Sequence, residues 1–293
     1  MDYKYIKGSA RRKYQSVPEQ EDFFVRFWGV RGSIPCPGEK VVRYGGNTSC
    51  LEVCCGPHVL IFDAGTGLRL FDLARTGDES LDIDLFFTHT HLDHICGWPY
   101  FASLLDPKAT IKIWCGNLIP EHTVEQVLSV LLREPFMPVQ NQTIQSRLDY
   151  HDFKAGETIN PRPGVTLLTA PLNHPQGATG YRVEFGGKSI CYITDTEHKP
   201  GELDQNILGL IEGADVVIYD STYTDEEYPS HVNWGHSTWQ EGVRLCEAAN
   251  VGQFVVFHHD PDHDDDFMDG IESAVERARP GSLVAREGMV IRP

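Results

Sequence analysis

A run of ligand-type side chains, His89-Thr90-His91-Leu92-Asp93-His94, constrains this chain more than any other stretch. Ending one residue short of it is Ile83-Asp84-Leu85-Phe86-Phe87, an apolar run with the length and bulk of a buried strand. Directly after it, Ile95-Cys96-Gly97-Trp98 reads as the start of a helix. Side chains two apart on extended backbone point to the same side, so His89 and His91 face one point from the strand end. Asp93 and His94 fall on the turn into the next element and can aim at a neighbouring point. Neutral imidazole nitrogen and carboxylate oxygen are donors that borderline divalent metals select. Four such donors in six residues at a strand end argue against a chance polar loop.

Composition narrows the partners. With 293 residues the chain can bury one large core or two small ones. No apolar run reaches membrane-spanning length, and Met1 to Asp22 is polar without a leader layout, so a cytoplasmic protein is expected. The net charge of −17, from 25 basic and 42 acidic residues, disfavours a long nucleic acid relative to a small substrate, because phosphate backbones are gripped by Lys and Arg. The 8 cysteines include no C-x-x-C pair, and most lie in or beside apolar runs, which fits a reduced, buried set.

Residues 1–22 read as a basic-tinted appendage, and residues 23–293 as one domain. Phe23–Val30, Cys50–Cys55 and His58–Phe62 read as strands, with Gly/Pro-dense loops at Arg31–Gly38 and Tyr44–Ser49. Leu68–Ala74, Pro99–Leu105 and Glu121–Leu132 read as helices around the strand Thr110–Cys115. The second half repeats the mixture. Strands are expected at Val165–Ala170, Tyr181–Phe185, Ser189–Ile193, Asp215–Tyr219 and Gln253–Phe257. Helices are expected at Asn206–Ile211, Glu241–Ala249 (capped by Ser237) and Met268–Ala278, before a final β segment, Leu283–Ile291. Two similar halves without a linker point to one α/β fold, a four-layer αββα sandwich.

Strand ends recur as the place for ligand-type residues. His174, Asp195, Asp220 and His258 each follow a strand, as the first cluster does. A lone His or Asp there is usually a cap or turn former. Five coincident cases outweigh that and imply strand ends gathered at one edge. His259 adjoins His258; His258 is chosen because it follows Phe257 directly. Asp63 reads equally as a turn former and as a partner of a ligand histidine. Asn47 and Ser49 read equally as turn residues and as phosphate contacts. His263 and the acidic run Asp260, Asp262, Asp264, Asp265 and Asp266 read as a solvated loop rather than a cation site. His122, His151, His198 and His231 have no evident partner.

The HxHxDH run His89–His94, followed in order by His174, Asp195 and His258, resembles the metallo-β-lactamase fold superfamily over residues 23–293. It is most similar to the phosphodiesterase branch, which holds ribonuclease Z, the cyclic phosphodiesterase of phosphonate breakdown and cyclic-nucleotide phosphodiesterases including the anti-Pycsar group. Asp195 stands where common β-lactamases put a cysteine. Gly235-His236-Ser237-Thr238 is similar to the His-Ser-Thr motif of ribonuclease Z-like enzymes, whereas Asp220 replaces a glutamate of that pattern.

The resemblance implies two divalent metals, zinc first and manganese or iron next. One would take His89, His91 and His174, the other Asp93, His94 and His258, with Asp195 between them. It implies that Asp93 orients the attacking water and that His236, held by Asp220, protonates the leaving alkoxide. It implies a homodimer, with Pro135–Val139 as a candidate contact. The expected substrate is a small phosphodiester, a cyclic nucleotide first, because Thr143–Pro163 is too short and too weakly basic for the tRNA-gripping arm of ribonuclease Z. A ribonuclease Z-like tRNA 3′-end endonuclease and a non-catalytic metal sensor on the same fold are the alternatives.

Overall fold

Alternation along the central strands decides which layer each residue enters. In β4 (Asp82–Phe87), Ile83, Leu85 and Phe87 join one apolar cluster and Phe86 joins another. In β10 (Lys188–Ile193), β11 (Val216–Asp220) and β12 (Gln253–Phe257) the same holds: Tyr192, Ile218 and Phe257 point one way, Ile193, Tyr219 and Val256 the other. Strands apolar on both faces must be covered on both faces. The computed structural model describes residues 22–75, 80–137 and 143–293, and shows that arrangement.

Two seven-stranded sheets pack face to face. The remaining strands are β1 (Phe23–Gly29), β2 (Cys50–Cys55), β3 (His58–Phe62), β5 (Thr110–Cys115), β6 (Arg147–Asp152), β7 (Thr158–Arg162), β8 (Val165–Leu172), β9 (Ala178–Phe185), β13 (Leu283–Val284) and β14 (Val290–Ile291). The first sheet runs β14-β1-β2-β3-β4-β5-β6 and the second β13-β12-β11-β10-β9-β8-β7. Helices α1 (Gly67–Ala74) and α3 (Val124–Leu131) cover the outer face of the first sheet, beside the one-turn helix α2 (Leu92–Ile95). Helices α4 (Gln205–Ile211), α5 (Trp239–Ala248) and α6 (Asp265–Ala278) cover the second. This is the αββα sandwich. An aromatic stack fills its middle: Phe62 and Phe86 lie 5.3 Å apart, with Tyr181 5.2 Å from Phe62. Truncating Phe86 to Ala would cost about 3–5 kcal/mol, the usual range for a buried Phe.

The strands β3 to β6 are parallel, and so are β10 to β13. Their carboxyl ends collect at one edge, where open parallel sheets place their ligands. Tyr181 Oη ties the sheets there by donating to the Phe87 carbonyl at 2.6 Å. Asp84 breaks the apolar pattern of β4, and its burial is compensated: Trp114 Nε1 donates to it at 2.9 Å and Arg162 of the opposite sheet pairs with it.

Several local expectations change. Pro99–Leu105 is not one helix but two 3-10 turns, Trp98–Tyr100 and Ala102–Leu105, interrupted by extended Phe101. The third helix starts at Val124, because Thr123 and Gln126 form a reciprocal capping box. Thr238, not Ser237, caps α5. The final β segment is two short strands in different sheets, parted by a turn at Gly288 with φ 82°. The appendage 1–22, apart from Asp22, and most of the Val139 end of the 135–139 loop lie outside the described residues.

Candidate metal centre

Strand ends from both sheets deliver the site. His89 and His91 follow β4, with Asp93 and His94 on α2. His174 follows β8, Asp195 follows β10, Asp220 ends β11 and His258 follows β12. The backbone turns sharply to aim these side chains. Asp63, Asp195 and His258 have φ of 61°, 56° and 64°, the left-handed region that L-residues avoid. Each costs about 1–3 kcal/mol, and such strain gathers at functional sites. Two glycines make the space: a Cβ on Gly32 would meet His258 Nδ1 at 2.5 Å, and one on Gly235 would meet His174 Nδ1 at 2.5 Å.

Asp195 sits at the centre. Its Oδ2 lies 3.1 Å from His94 Nε2 and 3.3 Å from His258 Nε2, and its Oδ1 lies 3.8 Å from both His89 Nε2 and His174 Nε2. Asp93 Oδ2 is 3.3 Å from His94 Nε2 and 3.4 Å from His258 Nε2, and accepts from the Ser33 amide at 2.8 Å. His91 Nδ1 is 3.0 Å from His174 Nε2. Two adjoining ligand groups result, His89/His91/His174 and Asp93/His94/Asp195/His258, each with its donor atoms within 4.8 Å of one another.

The chemistry of these donors fits metal. The Nε2 atoms of His89, His94 and His258 are buried without a hydrogen-bond partner, a costly state unless a cation uses their lone pairs. The opposite ring nitrogens fix the tautomers. His94 Nδ1 donates to Asp63 Oδ2 at 2.8 Å, and His174 Nδ1 to the Gly235 carbonyl at 2.7 Å. Thr88 Oγ1 has one proton, given to Asp63 at 3.0 Å, so it accepts from His89 Nδ1 at 3.1 Å. Thr222 Oγ1 likewise gives its proton to Asp220 at 2.8 Å and accepts from His258 Nδ1 at 3.1 Å. In all four rings Nδ1 is the anchored donor, and Nε2 is the nitrogen left facing inward, as in ligand imidazoles.

Electrostatics point the same way. Burial disfavours a charged His94, yet Asp195, Asp93 and Asp63 lift its pKa well above the ordinary imidazole value. Burial also opposes ionisation of Asp195, and His258, His94 and His89 reverse that and hold it far down. The carboxylates thus demand positive charge at this point. A divalent ion held by these residues would meet that demand, with His94 bound as the neutral imidazole.

One histidine lies beside the clusters. His236 Nδ1 is 3.0 Å from Asp220 Oδ2 and 3.8 Å from Asp195 Oδ1. Burial works against its charge, but Asp220 raises its pKa to about 9. The amides of Thr196 and Thr222 steady Asp220 at 3.1 Å each.

The ambiguous residues separate. His259 turns away from the cluster, its Nε2 donating to the Ala285 carbonyl at 2.8 Å, whereas His258 Nε2 faces Asp195. Asp63 is no plain turn former, since His94, Thr88 and Tyr192 all converge on it. Asn47 belongs to the structural turn, bound to Glu287 through both nitrogens. The acidic run is not simply solvated: Asp264 caps α6, and Asp265 accepts from the Arg43 and Tyr44 amides. His263 pairs with Glu227 at 2.9 Å, His198 with Ser237 at 2.8 Å, His231 with the Glu227 carbonyl at 2.9 Å, and His151 stacks on Trp114 at 4.0 Å. Thr88, Thr222, Tyr192, the Ser33 amide and Gln176, 3.0 Å from His91 Nε2, were not foreseen. Thr88 beside His89 and Thr222 two residues after Asp220 are the only two of these with a signal in the sequence, a hydroxyl next to a strand-end ligand or carboxylate.

Comparison with known proteins agrees. The model of the "Beta-lactamase superfamily domain" matches residues 58–259. The ribonuclease Z of Gemmatimonas aurantiaca is 24% identical, covering 91% of this chain and 95% of its own. The metallo-beta-lactamase fold protein YhfI from Bacillus subtilis superposes with TM-score 0.68 at 17% identity, over 92% of this chain and 99% of that one. A diphosphatase from the PhnP family gives 0.65 at 19%, over 93% and 98%. Fold and clustered ligands together define a metal-dependent hydrolase with adjoining candidate sites for two divalent ions. The chain belongs to the metallo-β-lactamase fold superfamily.

Proposed function

We propose that this chain is a dinuclear-metal phosphodiesterase of the ribonuclease Z kind, acting on an RNA phosphodiester. The observation that carries the chemistry is the His236–Asp220 pair at 3.0 Å, set 3.8 Å from the carboxylate shared by both ligand groups. In this reading His89, His91 and His174 would hold one ion, Asp93, His94 and His258 the other, and Asp195 would serve both. Zinc suits this nitrogen-rich set best. Bound there, two divalent ions supply Lewis acidity and a water acidified toward neutral pH.

The chain's own residues do the rest. Asp93, fixed by the Ser33 amide, orients the attacking water. His236 is held charged by Asp220, so it carries a proton for the departing alkoxide oxygen, which leaves poorly without one. Giving up that proton leaves a neutral ring still anchored through Nδ1. A thioester hydrolase has less need of such an acid, because a thiolate leaves without a proton.

The likeness to ribonuclease Z across most of both chains favours RNA over the cyclic nucleotide expected from the sequence. A small phosphodiester is the second reading. It is favoured by the net charge of −17, and by the Thr143–Pro163 segment, whose strands β6 and β7 are paired into the two sheets. The test is a substrate panel on protein reconstituted with zinc or manganese: precursor tRNA with a 3′ trailer, cyclic mononucleotides and an aryl phosphodiester. Cleavage of the precursor at its 3′ end supports the first reading. Turnover of small diesters alone supports the second. No turnover of any, with two ions bound, refutes phosphodiester chemistry. Homodimerisation belongs to the same proposal and is read by light scattering. Among the described residues no helix is long and apolar enough to cross a membrane.

A further inference from the structure

Directly before Gly235 and His236 stands Trp234, whose side chain is left 62% exposed. A single exposed apolar residue needs no explanation, but this one is held in place. Glu197 clamps the backbone on both sides of it: Oε1 accepts from the Asn233 amide at 2.7 Å and Oε2 from the Gly235 amide at 2.7 Å. The Trp234 amide itself donates to the His231 carbonyl at 3.1 Å, and Asn233 is held at φ 71°. A tight turn, in a conformation that a non-glycine residue resists, thus holds an indole outward from a position two residues from the candidate acid.

The ring is also part of a ladder that leads back to the site. His231 meets Trp234 edge-on with centroids 5.0 Å apart. Tyr223 stacks on His231 at 4.2 Å, and His236 lies 6.2 Å from Tyr223. His231 is fixed in turn through Nδ1 to the Glu227 carbonyl. The two rings stand nearly perpendicular, at 87°, while the indole remains largely accessible. Two more exposed apolar side chains sit beside site residues: Leu92, between His91 and Asp93, and Ile34, next to Ser33.

We propose that Trp234 is a stacking platform for the aromatic base of a nucleoside on the leaving-group side of the scissile phosphodiester. The proposal rests on the phosphodiesterase reading and specifies its substrate: a nucleotide diester rather than an alkyl or sugar one. The platform lies with His236, the group placed to protonate the leaving oxygen, so the base it holds belongs to the departing nucleoside. An indole face accepts any base, so the contact gives affinity with little base selectivity.

The experiment compares a dinucleotide with its two abasic counterparts, each lacking one base, on metal-loaded wild type, Trp234→Ala and Trp234→Phe. Wild type is expected to favour the intact dinucleotide over one of the two abasic forms. Trp234→Ala should raise KM for the intact dinucleotide roughly tenfold, the weight of one base stack, with kcat held, and erase that preference. Trp234→Phe should restore most of it. Equal kinetics of wild type and Trp234→Ala on all three diesters would overturn the proposal. If wild type hydrolyses no diester, the phosphodiesterase reading fails separately, and binding then decides the platform. Adenosine 5′-monophosphate should bind metal-loaded wild type more tightly than ribose 5-phosphate, and Trp234→Ala should remove the difference. An unchanged difference would sink the stacking role.

Discussion

Replacing Asp63 by Asn changes one atom and tests how the site is held. Asp63 is fully buried and accepts at both oxygens. Oδ1 takes the Thr88 amide at 2.8 Å and the Thr88 hydroxyl at 3.0 Å; Oδ2 takes His94 Nδ1 at 2.8 Å, Tyr192 Oη at 3.0 Å and the same threonine hydroxyl at 3.0 Å. An amide must put its NH2 on one side or the other. On the Oδ1 side it faces a backbone N–H that cannot turn. On the Oδ2 side it forces His94 to move its proton to Nε2, which removes the lone pair aimed at the metal. Losing such a partner typically costs 10–100-fold in metal affinity, about 1.4–2.7 kcal/mol. A buried donor left facing a donor adds about 1–3 kcal/mol of lost stability. Metal content after dialysis against graded chelator reads the first effect, and thermal melting the second. At limiting chelator the variant should keep closer to one ion per chain than two. Asp84→Asn is the control: it also disturbs a buried carboxylate, between Trp114 and Arg162, but should leave chelator resistance unchanged. Asp63→Asn that melts lower yet keeps both ions as tightly as wild type would refute the tautomer argument.

Three further outcomes follow from the geometry. His236→Ala should keep both ions and lower kcat roughly 10²–10⁴-fold on an alkoxide leaving group, and far less on p-nitrophenolate, which needs no proton to leave; an equal loss on both would rule out the acid. His258→Ala should lose one ion per chain by elemental analysis, whereas His259→Ala should keep both and melt lower, and the reverse pattern would exchange the two residues. Burial, aided by Arg31, depresses the His259 pKa to about 3, against about 6.5 unfolded, so between those pH values only the unfolded state takes up the proton and stability falls on acidification. At pH 5 the loss is about 2 kcal/mol, and His259→Asn should show a smaller drop in urea midpoint between pH 7 and pH 5 than wild type.

How much of this was legible depended on the range of the interaction. The strands of both sheet centres were readable because burial on two faces writes a continuous apolar run, as at Val216–Tyr219. The strand-end ligands were readable because each stands at the stop of such a run. Boundaries set by one side chain were not. The Thr123 box and the Asp264 cap moved helix starts by a few residues, and the split of 283–291 between two sheets depends on which edge strand lies nearby. Asp84 was counted as part of an apolar run because its partners, Trp114 and Arg162, are 30 and 78 residues away. Trp234 carried no periodic signal at all.

Both orienting carboxylates were candidates in the sequence, but the threonine relays through which they act were not legible, and these say most about how the site is built. Each sheet brings its own. Asp63, after β3 of the first sheet, holds His94 directly and His89 through Thr88. Asp220, at the end of β11 of the second, holds His236 directly and His258 through Thr222. In both cases one buried carboxylate serves two imidazoles, and a threonine hydroxyl relays the second contact. The threonine of each relay comes from the same sheet as its carboxylate, and Tyr192 of the second sheet adds a cross-sheet contact to Asp63 at 3.0 Å. Asp195 and Asp93 both reach rings of the two halves: Asp195 lies 3.1 Å from His94 and 3.3 Å from His258, and Asp93 3.3 Å and 3.4 Å from the same pair. A shift of one sheet against the other therefore bears on the two carboxylates that reach rings of both halves, Asp195 and Asp93.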